Sequence, residues 1–193
     1  EPVMGEGGYV VPPEKYVKAL RKVCDDHGIL LIFDEVQTGL GRTGKLFASE
    51  VFGVVPDILV TGKAMGAGFP LAIVASTKER MSRWESGAHG TTYGGNPVAC
   101  AAAIAQLEIL SKEDFLASVR RKGEAFRNQL KALQQKHPEI GDVRGVGLMN
   151  GIELVKEDRA PDPDKANFIR TFFMGKKILI LACGAYKNVI RFI

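Results

Sequence analysis

Lys63 is the residue whose type and setting first suggest chemistry. It follows the apolar run Ile58 to Val60, stands near Thr61 and is followed by Gly66 and Gly68 in the stretch DILVTGKAMGAGFP. Open α/β sheets bind ligands at the ends of their strands, where loops leave a crevice, and an amine placed there is a nucleophile toward a carbonyl carbon. Asp34 ends an earlier apolar run, Ile29 to Phe33. Alone, it reads equally well as a helix cap or an ion-pair partner. Together with Lys63 it forms the pair that pyridoxal phosphate chemistry needs. The lysine forms a Schiff base, and the acid keeps the pyridine nitrogen protonated so that the ring draws electrons from a substrate carbanion.

A second glycine loop offers a competing reading. Gly39 to Lys45, GLGRTGK, fits the phosphate-binding pattern G-x-x-x-x-G-K, and ILLIFDE resembles the apolar strand ending in acids that holds magnesium in nucleoside triphosphatases. Two details oppose it. Leu46 follows Lys45 and supplies no hydroxyl to a metal, and the acidic strand precedes the glycine loop instead of following it.

The elements that must position Lys63 and Asp34 can be read in order. Glu1 to Val3 reads as the tail of a strand, and Pro12-Pro13 lead into a helix from Glu14 to His27 that Gly28 ends. Ile29 to Phe33 is continuously apolar, the pattern of a central parallel strand buried on both faces. A glycine-rich loop, a short helix over Leu46 to Phe52, a strand at Asp57 to Val60 and another at Leu71 to Ser76 follow. This spacing predicts βα units around a mostly parallel sheet, with Asp34 and Lys63 at the ends of neighbouring strands. Beyond the polar loop Glu85 to Gly95, Asn96 and Pro97 start an alanine-rich helix to Leu110, and a second helix covers Lys112 to Lys136. From Ile140 the chain turns to glycine-punctuated strands, a helix over Lys165 to Lys177 and two short strands, Ile178 to Leu181 and Val189 to Ile193. The expected division is a partial large domain, residues 1–112, and a partial small α+β domain, residues 113–193.

Composition narrows the function classes. A chain of 193 residues, 46% hydrophobic and 25% charged, is ordinary for a globular protein. The net charge of +4 does not point to nucleic acid, because Arg120, Arg121, Lys122, Arg127 and Lys131 alternate with Leu116, Val119, Phe126 and Leu130 at helical spacing, as on the wet face of an amphipathic helix. No run of eighteen apolar residues suggests a membrane span. Cys24, Cys100 and Cys183 form no C-x-x-C pair, which argues against a disulfide framework or a thiolate metal site and for a reducing, cytoplasmic setting. The opening EPVMGEGG is neither a secretory signal nor an initiator methionine, so the chain is expected to be part of something longer.

Five stretches in order, EPVMGEGG, LLIFDEVQTGLGRTG, PDILVTGKAMGAGFP, GTTYGGNPVACAAA and NVIRF, together resemble the class III aminotransferases, pyridoxal phosphate enzymes that include 4-aminobutyrate, ornithine and acetylornithine aminotransferases. The resemblance covers nearly the whole chain. It implies fold type I: part of a large domain with a mainly parallel sheet, part of a small C-terminal domain, and a homodimer with shared active sites. It implies that Lys63 holds the cofactor and that Asp34 pairs with the pyridine nitrogen. Val36 would pack on the ring and Gln37 would bond its phenolic oxygen. Thr92 would reach the cofactor phosphate of the neighbouring subunit; the sequence pattern alone does not choose it over Thr91.

For substrates, the resemblance implies that Arg191 docks a carboxylate with its planar fork. Glu6 would pair with Arg191 when the amino end of an ω-amino acid approaches, and swing away for the carboxylate of 2-oxoglutarate. Taken singly, each is an ordinary surface charge. The ending ILACGAYKNVIRF is similar to the 4-aminobutyrate branch, with acetylornithine- or ornithine-type donors as the alternative. Met4 departs from the family's EPxQGEGG motif. The family's phosphate-cradling glycine-serine turn and ring-stacking aromatic belong to an upstream half that these residues do not include. A dimerising module without catalysis would share the sheet pattern but take no cofactor.

Overall fold

The computed structural model describes residues 1–193, which cluster into two compact units. The first holds Glu1–Pro2, Pro12–Gly41 and Lys45–Leu116; the second holds Val3–Val11, Arg42–Gly44 and Ala117–Ile193.

The first unit is built on a three-stranded sheet. Strand β1 (Ile32–Asp34) pairs in parallel with β2 (Ile58–Thr61), which pairs antiparallel with β3 (Ile73–Ser76). Helix α1 (Glu14–Asp26) precedes β1, the five-residue α2 (Ala48–Phe52) lies between β1 and β2, and α3 (Lys78–Met81) follows β3. Helix α4 (Pro97–Leu110) starts where Asn96 and Pro97 predict: the Asn96 side chain accepts from Ala99 N at 2.9 Å, and proline fills the first turn, where no N–H is needed. The small faces of Ala99 and Ala103 let α4 approach closely, and Leu40, Met65 and Ala103 form a core with Leu46, Phe47 and Leu107 packed against it.

One expectation needs correction here. The run Ile29 to Phe33 is not buried throughout: Leu31 and Phe33 are covered, whereas Ile29, Leu30 and Ile32 are 54%, 51% and 55% exposed. A strand's side chains alternate between two faces, and nothing within this unit covers the second face of β1. The three strands form a mixed sheet, since β3 runs against β2.

The second unit is a four-stranded antiparallel sheet of order β4-β5-β7-β6. The hairpin β4 (Ile140–Val146) and β5 (Met149–Leu154) is followed by α6 (Pro163–Gly175), β6 (Leu181–Cys183) and β7 (Val189–Phe192). The long helix α5 (Glu113–Gln134) carries Leu130 and Phe126 into a core with Ile140, Val143, Ile152, Leu154, Ala166 and Ile190. The rings of Phe126 and Phe192 meet edge to face at 5.2 Å. β6 begins three residues later than the sequence suggests, because Lys177 adopts φ 62° and Ile178 N bonds back to Phe173 O at 3.0 Å, which closes the end of α6.

The break between the units falls within α5, between Leu116 and Ala117, and two early segments cluster with the second unit. Long-range hydrogen bonds hold them there. Arg144 Nε donates to Gly8 O at 2.8 Å and Gly184 N to Glu6 O at 2.9 Å; Leu148 N donates to Arg42 O at 3.0 Å and Arg120 Nη1 to Gly44 O at 2.5 Å. Glu1 to Val3 forms no strand; Met4 makes an isolated bridge to Val10.

Asp57 fixes the far end of β2. Its carboxylate takes Arg21 Nη1 and Arg80 Nη2, both at 2.6 Å, and Leu31 N at 2.8 Å. The Leu31 N–H and the Arg21 guanidinium hold its pKa below the usual carboxylate value. Because the folded pKa is depressed, this contribution is present above the unfolded value of about 3.9 and is lost as the pH falls through the folded one. Asp57→Asn in the full-length protein is expected to cost about 2 kcal/mol at pH 7 and to flatten the acid limb of stability, measured by urea unfolding across pH; an unchanged midpoint at pH 7 contradicts this.

Candidate active site

The parallel pairing of β1 and β2 sets Asp34 opposite Val60 and carries Lys63 just past the same end of the sheet. Asp34 is exposed, and its carboxylate accepts from Val36 N at 2.9 Å. The side chains of a strand alternate, so the next acid points the other way. Glu35 is fully buried, and its carboxylate accepts from Thr38 Oγ1 at 2.6 Å, Ala48 N at 2.8 Å and Ser49 N at 2.7 Å. Those two N–H groups are the first of α2, whose N-cap residue Phe47 has no side-chain oxygen. Glu35 therefore caps α2 from a distance, while Asp34 stays open to a ligand. In the sequence, only the lack of a Ser, Thr, Asp or Asn cap at this helix hinted at a distant one.

Lys63 is exposed, with φ 44°, and opens a 3-10 turn, Lys63–Gly66. A non-glycine residue in the left-handed region carries strain of about 1 kcal/mol or more, which persists where the surroundings enforce it. The supports are local. Met65 is buried against Leu40 and Ala103, and Gln106 Nε2 on α4 donates to Ala64 O at 2.8 Å. Gln106 was missed in the sequence, although it and Glu108 are the only polar side chains in the apolar run of α4.

The loop after Asp34 lies against Gly62, the residue before Lys63. A Cβ on Gly62 would meet both methyls of Val36 at 3.7 Å, so the valine packs on the residue preceding Lys63. Gln37 Oε1 and Thr61 Oγ1 are buried without a hydrogen-bond partner. Buried polar atoms are rarely left unmatched, and these two lie at the loop and strand that flank Lys63. Orphaned polar groups, an open carboxylate and a lysine amine suit a polar group bound there, and the residues expected to hold pyridoxal phosphate fit it in this respect. Thr92 is exposed in the polar loop, and Thr91 lines a cleft of 670 Å³ with Val60, Leu71, Val74 and Trp84.

The triphosphate reading loses its context. Turns follow Lys45 and α2 begins only at Ala48, so no helix N-terminus receives a phosphate directly after the glycines. No group of three or more His, Cys, Asp or Glu is placed to hold a metal ion. No helix is long and apolar enough to cross a membrane.

In the second unit, Arg191 Nη1 is paired with Glu6 Oε1. The arginine side chain is 13% exposed and the glutamate side chain 68%. Burial works against the arginine charge, and the bond and charge of Glu6 more than offset it, leaving the pKa of Arg191 raised. The Glu6 loop is pinned through its backbone by Gly184 and by Arg144, which is itself held by Glu153 at 2.5 Å and Asp142 at 2.8 Å. The backbone is therefore fixed while the Glu6 side chain faces solvent. Met4, at the position where the resemblance expects glutamine, lays its side chain over Gly7, where an added Cβ would meet Met4 Cε at 2.6 Å.

Comparison with known proteins fits this arrangement. Residues 1–193 match the family described as aminotransferase class-III. The chain is 45% identical to the 5-aminovalerate aminotransferase DavT of Pseudomonas aeruginosa, covering 100% of this chain and 46% of that protein. It is 44% identical to the 4-aminobutyrate aminotransferase GabT of Escherichia coli, covering 99% and 45%. A solved aminotransferase from Bacillus anthracis superposes with a TM-score of 0.91 at 36% identity, over 99% of this chain and 46% of that one. The chain belongs to the class III aminotransferases, and its two units are part of the fold type I architecture. It spans about half the length of the relatives it matches.

Glu35→Gln keeps the side chain's shape but turns one acceptor into a donor facing an N–H or hydroxyl. In the full-length protein it should cost about 1–3 kcal/mol in thermal or urea unfolding. A loss below about 0.5 kcal/mol would show that Glu35 does not hold α2.

Proposed function

We propose that the full-length protein is a pyridoxal-phosphate-dependent aminotransferase that moves an amino group from an ω-amino acid, 4-aminobutyrate-like, to 2-oxoglutarate. The observation that carries this reading is the pairing of a half-buried arginine with a solvent-facing glutamate on a backbone-pinned loop, in a chain that also sets a lysine and an acid at one end of a sheet. When bound, the cofactor supplies an electron sink for a carbanion next to the amino nitrogen. Lys63 would hold it covalently and, once the donor's amine has displaced it, would move the proton at the donor's nitrogen-bearing carbon through its free Nζ. Asp34 would pair with the pyridine nitrogen, Val36 would pack on the ring, and Gln37 would hydrogen-bond the phenolic oxygen through its side-chain amide N–H.

Arg191 receives the carboxylate of the oxo acid. Paired with Glu6, it presents a neutral surface to the amino end of an ω-amino donor; released, it presents a planar cation. The two relatives act, by name, on 5-aminovalerate and 4-aminobutyrate, at almost equal identity. The segment ILACGAYKNVIRF favours the 4-aminobutyrate type; an acetylornithine- or ornithine-type donor would use the same pair. A homodimer belongs to this reading, because Thr92 is assigned to the neighbouring subunit's cofactor, and so does a reducing cytoplasm, in keeping with three free cysteines.

Replacing Glu6 tests the substrate assignment. In Glu6→Gln, the Arg191 charge faces an ω-amino donor uncompensated, and kcat/KM for such donors is expected to fall about tenfold or more, with glutamate changing less than about twofold. Equal loss for both donor classes would end the assignment. Lys63→Ala should slow turnover by about 10²–10⁴-fold beyond any loss of cofactor binding, read in single-turnover assays with added amine.

A further inference from the structure

Two buried polar atoms in the second unit have no partner, and their residues share one face of the sheet. Tyr9 is fully buried and its hydroxyl bonds to nothing; Arg191 Nε is buried and equally unpaired, although Nη1 of the same guanidinium holds Glu6. The sheet register explains this placement. Gly151 is the partner of Arg191 across β5 and β7, and a Cβ on Gly151 would meet Tyr9 Cβ at 3.5 Å, so Tyr9 packs over the glycine opposite the arginine. Tyr9 holds this place with φ 54°, a left-handed backbone that a bulky residue adopts only under constraint. Burial pushes its pKa up to about 12, with the Arg191 charge pulling the other way, so the hydroxyl is neutral at any working pH.

Leaving one such atom unpaired is costly, and leaving two on residues that share a sheet face is a feature to be explained. A phenylalanine would fill the same space without the unmet hydroxyl. With Glu6 on Nη1, the guanidinium is drawn to that carboxylate, and Nε has no acceptor. We infer that Tyr9 is a positioning residue for Arg191: when the Glu6 carboxylate leaves, the Tyr9 hydroxyl accepts a hydrogen bond from Nε and holds the guanidinium in place for the carboxylate of the oxo acid. This pairing satisfies both orphans in the released state and favours the state that binds the acceptor substrate. It rests on the arginine switch proposed above.

The test uses the full-length protein with its cofactor. Tyr9→Phe removes only the hydroxyl, and Glu6→Gln is measured beside it. KM is determined for the 2-oxo acid and for the ω-amino donor, together with the thermal midpoint. Tyr9→Phe is expected to raise the oxo-acid KM about tenfold, the loss of one hydrogen bond to a charged group, with the donor KM within about twofold of wild type. An unchanged oxo-acid KM with a raised thermal midpoint, in a protein whose Glu6→Gln variant still separates donor classes, overturns the role of Tyr9 and leaves the switch standing. Equal rises in both KM values with a lowered midpoint overturn it as well, since they show packing alone. If Glu6→Gln fails to separate donor classes, the switch falls and the role of Tyr9 falls with it.

Discussion

The parallel ladder between β1 and β2 is the constraint on which the first unit depends. Asp34 is in register with Val60, and Glu35 N continues the ladder to Val60 O at 2.7 Å. Both strands must therefore release their chains at the same end of the sheet. The loop from Asp34 and the turn at Lys63 then share that end without any direct bond between the two side chains. Alternation along an extended backbone divides the adjacent acids: one carboxylate is spent on the helix N-terminus of α2, and the other is left for a ligand. A shift of one residue in register would exchange them, exposing Glu35 and burying Asp34.

The two units treat mobility in a similar way. Around Lys63 the backbone is forced into a left-handed conformation and supported by Met65 and the Gln106 bond, while the amine is exposed. Around Glu6 the backbone is tied by Gly184 and Arg144, while the carboxylate faces solvent. In each case the main chain is held in place while the side chain is exposed. This suits the roles proposed for them, a lysine that alternates between holding and releasing a group and a glutamate that alternates between pairing and withdrawing.

Local chemistry was legible in the sequence, and distant closure was not. Asn96 and Pro97 marked the start of α4 because capping is a matter of three or four residues, and the strand ends carrying Asp34 and Lys63 followed from apolar runs and glycines. Glu35 was not recognised as a cap because its helix begins thirteen residues away, at Ala48. The membership of Val3–Val11 in the second unit depends on a bond from Arg144 to Gly8, 136 residues apart, which leaves no local pattern. The run Ile29 to Phe33 encodes a strand covered on both faces, and these residues cover only one. Tyr9 gave no signal, since an aromatic after a glycine pair looks like any core residue until its hydroxyl proves unpaired.

The central claim is that Lys63 is the residue that binds the cofactor. The direct measurement is to add pyridoxal phosphate to the full-length protein, reduce with borohydride, digest, and map the modified lysine by mass spectrometry. The account predicts a single pyridoxyl label on Lys63, in the peptide containing GKAMGAGFP, and its loss in Lys63→Ala. A label on Lys45 or any other lysine, or no label in a protein shown to be folded, would contradict it.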